Sequence, residues 1–97
     1  MILEAAILQV RPGEEENFEL AFRKASRIIS SMKGYISHNL HKCIEKKGKY
    51  LLQVSWQELE DHTVGFRQSS EYQEWKELLH HFYDPFPVVE HFYEVEF

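Results

Sequence analysis

The stretch Tyr50–Trp75, YLLQVSWQELEDHTVGFRQSSEYQEW, decides the fold, because its hydrophobic period changes partway along. Tyr50, Leu52, Val54 and Trp56 fall on one face at period two, with Leu51, Gln53 and Ser55 on the other, which predicts a strand ending at Trp56. Beyond it Leu59, His62, Thr63 and Phe66 recur at three and four residues, a helical spacing that Gly65 weakens near its end. Ser69 or Ser70 can cap a second helix, and Ser70-Glu71-Tyr72-Gln73 has the form of a capping box leading into Tyr72, Trp75, Leu78, Leu79 and Phe82.

Upstream of this stretch, Ile2–Val10 reads as a strand that is apolar on both sides. Leu3, Ala5 and Ile7 fall on one face, and Ile2, Ala6, Leu8 and Val10 on the other, the pattern of a central strand. Arg11-Pro12-Gly13 breaks it, and Glu14-Glu15-Glu16 places acidic groups at the positive end of a following helix. Phe18, Ala21, Phe22, Ala25, Ile28, Ile29 and Met32 then form one apolar stripe at roughly 100° per residue. Gly34 suits the left-handed position after that helix. A second strand, Tyr35–Ile44, turns through a polar hairpin at 45–49 into the strand beginning at Tyr50. Downstream, Asp84-Pro85-Phe86-Pro87 stops the helical region, and Val88–Phe97 reads as a last strand carrying Val89, His91, Tyr93, Val95 and Phe97 on one face.

The order strand, helix, strand, strand, helix, strand with right-handed crossovers predicts a single α+β domain over residues 1–97. Its form is ferredoxin-like βαββαβ, with a four-stranded antiparallel sheet and both helices on one face. The doubly apolar first strand leaves the other face in need of cover, most simply a second copy, so a homodimer is expected. A 97-residue chain buries roughly two thirds of its unfolded surface and gains from self-association. A net charge of −5 without a basic stripe excludes nucleic acid and anionic membrane surfaces as partners. Cys43 is the sole cysteine, no apolar run reaches membrane-spanning length and no cleavable leader is visible, so a cytoplasmic location is the expectation.

The element order, the ending PVVEHFYEVE and the segment VSWQELEDHTVGFRQSSEYQEW together resemble the antibiotic biosynthesis monooxygenase family, whose members form dimeric α+β barrels. The resemblance extends over nearly the whole chain and is carried by Trp56, His62, Phe66, Tyr72, Trp75 and His91. It implies a cofactor-independent monooxygenase, using neither metal nor flavin, that acts on a small aromatic, quinol or polyketide-like substrate. A non-catalytic dimeric module binding a small hydrophobic molecule uses the same pocket without chemistry. The family also contains haem-degrading members, with an asparagine on the first strand, a tryptophan after the third and a histidine ligand beyond it. The nearest equivalents here look like Ala6, Phe66 and the neighbourhood of Lys76, with His80 the closest histidine, and none matches.

Within that frame His62 and His91 are the candidate catalytic groups, since an imidazole near its ordinary pKa of about 6.5 can take a phenolic proton at neutral pH. His62 is the expected base and His91 its support; either can equally be a buried histidine bonded to a neighbouring carbonyl. Trp56, Phe66, Tyr72 and Trp75 are the candidate walls for a flat ligand, though such spacing also describes plain core. Asn39 and Ser37 share a strand face and can orient a carbonyl or serve an interface. No metal is expected: His38 and His41 point to opposite strand faces, and His80 and His81 diverge by about 100° on a helix.

Overall fold

The computed structural model describes all 97 residues. Its elements are β1 (Ile2–Gln9), α1 (Glu15–Ile29), β2 (Tyr35–Lys42), β3 (Lys49–Trp56), a π-helical turn (Asp61–Phe66), α2 (Ser70–Leu79), a 3-10 turn (His80–Phe82) and β4 (Val89–Phe92). The strands form one sheet in the order β2-β3-β1-β4, antiparallel throughout, which is the ferredoxin-like arrangement that the element order predicts.

Alternation of side chains along the strands assigns the two faces of the sheet. Ile2, Glu4, Ala6, Leu8 and Val10 on the first strand, with Tyr50, Leu52, Val54 and Trp56 on the third, are buried beneath the helices. From α1, Phe18, Phe22, Ala25 and Ile29 close onto them, and from the second helical region Phe66, Trp75, Leu79 and Phe82 do so. Leu3, Ala5, Ile7, Leu51 and Phe92 lie on the uncovered face, where Ile7 is 44% and Phe92 48% exposed.

Several boundaries differ from the sequence reading, each for a local reason. The first helix ends at Ile29, before Met32, because Ser30, Ser31 and Met32 turn back with bonds to the carbonyls of Ser26, Ile28 and Ile29. β2 ends at Lys42, and Ile44 is 95% exposed in the hairpin turn. β4 stops at Phe92 instead of running to Phe97, because its one neighbour, β1, pairs Leu3 with Phe92 and is nearly spent there. Tyr93, Val95 and Phe97 are left exposed. Ser69, not Ser70, caps α2 by accepting the Tyr72 N–H at 3.1 Å, so the box from Ser70 to Gln73 does not form.

The helical spacing after Trp56 is realised as a π turn, closed by the Arg67 N–H donating to the His62 carbonyl at 3.2 Å. Its position is set from below by the α1–β2 turn. Gly34, at φ +82°, lies directly under the Asp61 side chain, and its carbonyl accepts the Gln57 N–H at 2.8 Å. The Asp61 carboxylate in turn accepts the Glu58 N–H at 3.1 Å, starting the turn that delivers His62 and Phe66 to the interior.

Candidate functional site

A cavity of about 320 Å³ opens between β1, the π turn and α2, and is closed on its far side by the segment from His80 to Val89. Phe66 organises its apolar wall: its ring meets Tyr72 edge-on at 5.3 Å and Trp75 edge-on at 5.5 Å. These three candidates from the sequence line the cavity together with His62.

Trp56 is adjacent but does not line it. Its ring is fully buried and covered by His62, which stacks on it at 5.5 Å between centroids and 25° between planes. The expectation that Trp56 walls a ligand is therefore corrected: it is the floor under the imidazole. Asn39 is also misplaced in the sequence reading, since it pairs with Gln53 on the uncovered face of the sheet, across the strands from the cavity. Ser37 shares that face and faces Ser55.

The polar end of the cavity is built on Glu4, a residue the sequence reading leaves out. Glu4 sits between Ile2 and Ala6 on the covered face of β1 and is 5% exposed. Its Oε1 accepts the Trp56 Nε1–H at 2.9 Å and stands 3.4 Å from His62 Nε2. His62 Nδ1 lies 2.8 Å from His91 Nε2, so the two histidines are in contact, but only His62 lines the cavity and His91 stands behind it. The signal for Glu4 was available: one carboxylate interrupts an otherwise apolar face of a central strand, and such a group needs partners. Its partners come from far along the chain, so alternation alone could not name them.

Electrostatics follow from burial. Loss of water raises the Glu4 carboxyl to a pKa of about 7, against the opposing pull of the Trp56 N–H and the Arg67 charge. Burial, with the positive charge of Arg67 and then His91, lowers His62 to about 3, so its ring is neutral at pH 7. His91 is also lowered, by burial first and Arg67 second. The 3.4 Å contact is thus a carboxyl facing a neutral imidazole, not an ion pair.

Two proton arrangements satisfy this row of groups. With Glu4 ionised, His62 turns Nε2–H toward the carboxylate and accepts the His91 proton at Nδ1. With Glu4 protonated, His62 presents a bare Nε2 to the carboxyl and donates from Nδ1 to His91. A switch between them carries a proton between a buried carboxyl and a half-buried histidine without a lasting charge on His62. No set of three or more His, Cys, Asp or Glu side chains is arranged to hold a metal ion. No helix is long and apolar enough to cross a membrane.

Comparison with known proteins gives the lineage. The family described as antibiotic biosynthesis monooxygenase matches residues 1–78. Uncharacterized protein YczJ of Bacillus subtilis (strain 168) is 64% identical over 95 residues, covering 98% of this chain and 100% of its own. A Bordetella bronchiseptica protein, provisionally named an antibiotic biosynthesis monooxygenase, superposes with a TM-score of 0.93 at 35% identity over 98% of this chain and 97% of its own. SnoaB from Streptomyces nogalater, described as a cofactor-independent oxygenase, shares the fold at a TM-score of 0.75 and 17% identity, over 99% of this chain and 94% of its own. On the extent of the family match and the likeness to the Bordetella protein, the chain belongs to the antibiotic biosynthesis monooxygenase family.

Proposed function

We propose that this protein is a cofactor-independent monooxygenase for a small aromatic, phenolic or quinol substrate, working as a homodimer. The observation that carries the reading is Glu4: a carboxyl with a pKa of about 7, held against an aromatic cavity by Trp56 and His62. A base poised near neutrality is what deprotonation of a phenol or an activated ring carbon requires. Glu4 takes over the role first assigned to His62, because a ring whose pKa is about 3 is a poor proton acceptor. His62 becomes the positioning and relay group, and His91 keeps its supporting place.

The chemistry is then the substrate's own. Glu4 removes a proton, and the electron-rich anion, held among Phe66, Tyr72 and Trp75 away from water, donates electrons to dioxygen. Combination at the ring carbon ortho or para to the hydroxyl, which is a CH₂ in the keto tautomer, gives a peroxide that loses water to leave a carbonyl, so CH₂ and O₂ become C=O and H₂O. Both oxygen atoms are accounted for, and the substrate supplies the reducing electrons. The description of SnoaB as a cofactor-independent oxygenase supports this reading through the shared fold.

The test is oxygen uptake across a panel of quinols and polyphenols. The wild type is expected to turn over at least one of them, and Glu4→Gln to lose about a hundredfold in rate. Ligand binding without oxygen uptake by the wild type would leave a binding module in its place. Equal rates in wild type and Glu4→Gln would remove the carboxylate from the mechanism.

A further inference from the structure

Among the residues lining the cavity, Arg67 alone carries a fixed positive charge. Its backbone is pinned, since its N–H closes the π turn onto the His62 carbonyl, while its side chain is exposed, which places the guanidinium where the cavity opens. Of the eleven Lys and Arg side chains, Arg11 pairs with Asp84, Lys42 with Glu19 and Lys47 with Glu15, and the other eight are unpaired, but of those only Arg67 lines the cavity. Arg67 takes part in none of the chain's ion pairs. Its positive charge lowers the pKa of Glu4, His62 and His91 alike. The wall opposite, formed by His80, Phe86, Pro87 and Val89, carries no fixed charge.

We propose that Arg67 anchors an anionic group of the ligand, so that the substrate is a planar one- or two-ring phenol or quinol carrying a carboxylate. This inference rests on the reading of the cavity as the substrate site. A guanidinium offers a flat fork of donors that matches a carboxylate through two parallel bonds. Size agrees: a dry cavity of about 150 Å³ holds one benzene ring, and the 320 Å³ here admits a second. Orientation follows from the same placement. The ring packs on Phe66 and Trp75, a hydroxyl reaches Glu4 and His62, and the carboxylate stays at the wet rim beside Arg67. An anion held there keeps its water and avoids the Glu4 carboxylate deeper in, which an anion bound at the inner end would not.

The experiment is anaerobic isothermal titration calorimetry at pH 7.5 with two probes, 1,4-dihydroxynaphthalene and 1,4-dihydroxy-2-naphthoate, on the wild type, Arg67→Gln and Arg67→Lys. The wild type is expected to bind the carboxylate probe about tenfold more tightly, a modest gain because the rim is open to solvent. Arg67→Gln brings the ratio of affinities to about one, and Arg67→Lys, which keeps the charge but not the fork, retains part of it. Equal affinities in the wild type, or a preference that survives Arg67→Gln, would overturn the proposal. Oxygen uptake separates the two readings. Carboxylate preference without uptake from these probes or any member of the panel supports the anchor and sinks the oxygenase. Uptake by the wild type with equal affinities does the reverse, and no binding of either probe overturns the anchor, leaving the oxygenase to stand or fall on the panel.

Discussion

Glu4 and Trp56 are diagonal neighbours across the β1–β3 ladder: the register pairs Ile2 with Trp56 and Glu4 with Val54, and on their shared face the indole N–H reaches the carboxylate at 2.9 Å. That bond favours the ionised form of Glu4 and opposes the burial that pushes its pKa up. Trp56→Phe keeps the ring and removes the donor. A neutral donor to a carboxylate contributes about 1 kcal/mol, so the Glu4 pKa should rise by somewhat less than one unit. In the pH profile of kcat/KM, the limb attributed to Glu4 should move toward higher pH by that amount; an unmoved limb would detach the titration from Glu4.

Stability should carry the mark of the same carboxyl. Its pKa rises from 4.5 to about 7 on folding, so between those values the folded chain holds a proton that the unfolded chain has released. Stability from this group is therefore full below 4.5 and lost as pH climbs through 7, by up to about 3 kcal/mol. His62, lowered to about 3, acts in the opposite sense: its contribution is present above 6.5 and lost toward acid. The two slopes oppose each other between 4.5 and 6.5. Glu4→Gln removes only the first, so urea denaturation should find the variant gaining on the wild type as pH rises from 4.5 to 8. A constant difference across that range would contradict the burial argument.

The fold was legible because it depends on period. Alternation marks Tyr50–Trp56 as a strand, apolar residues on both faces mark Ile2–Val10 as a central one, and the stripe from Phe18 to Met32 fits one helix face, with the central strand ending one residue early and the helix three. What alternation could not do was end β4, since the length of an edge strand is set by its neighbour, here β1. The site was half legible. Tyr72 and Trp75 share a face of α2 and meet Phe66 from the π turn, and His62 touches His91, although His91 lies behind the cavity and does not line it. Glu4 and Arg67 stayed hidden because one lies inside an apolar strand and the other follows a glycine-weakened turn. Their chemistry comes from contacts and fields across the fold, which composition does not encode.

Gly34 should resist substitution. It holds φ +82°, and a Cβ there would overlap the Asp61 carboxyl group. Gly34→Ala should cost more than about 1 kcal/mol, from backbone strain and from displacing the group that starts the π turn. Asp61→Ala removes the carboxyl but leaves its Cβ 2.7 Å from the new one, so it relieves only part of the overlap; Asp61→Gly relieves it, and that pair should be non-additive in a double-mutant cycle. Additive losses would mean that the two residues act separately.

On the uncovered face of the sheet, Ile7 and Phe92 remain about half exposed beside Leu3, Ala5 and Leu51. Sedimentation at micromolar concentration should give roughly twice the 11.7 kDa chain mass, through an interface of about 800 Å² per partner. Ile7→Lys places a charge on that face and should give monomers that retain the far-UV circular dichroism of the wild type. A wild-type monomer, or a dimer indifferent to Ile7→Lys, would place any association elsewhere.

The π turn has a consequence for chain length. Its bond spans five residues, from the His62 carbonyl to the Arg67 N–H, where an α-helix would span four. It therefore accommodates one extra residue within a helical segment, and deleting the exposed Val64 would let the segment relax to ordinary pitch. The same His62 carbonyl and Arg67 N–H would then close a four-residue step, so the chain beyond Arg67 would keep its direction. α2 is begun afresh by the extended Ser69, which also shields Tyr72 and Trp75 from the change. The surplus residue is thus confined to the turn, and deleting Val64 should cost less than deleting a residue inside α1 or α2, where every later side chain would change face.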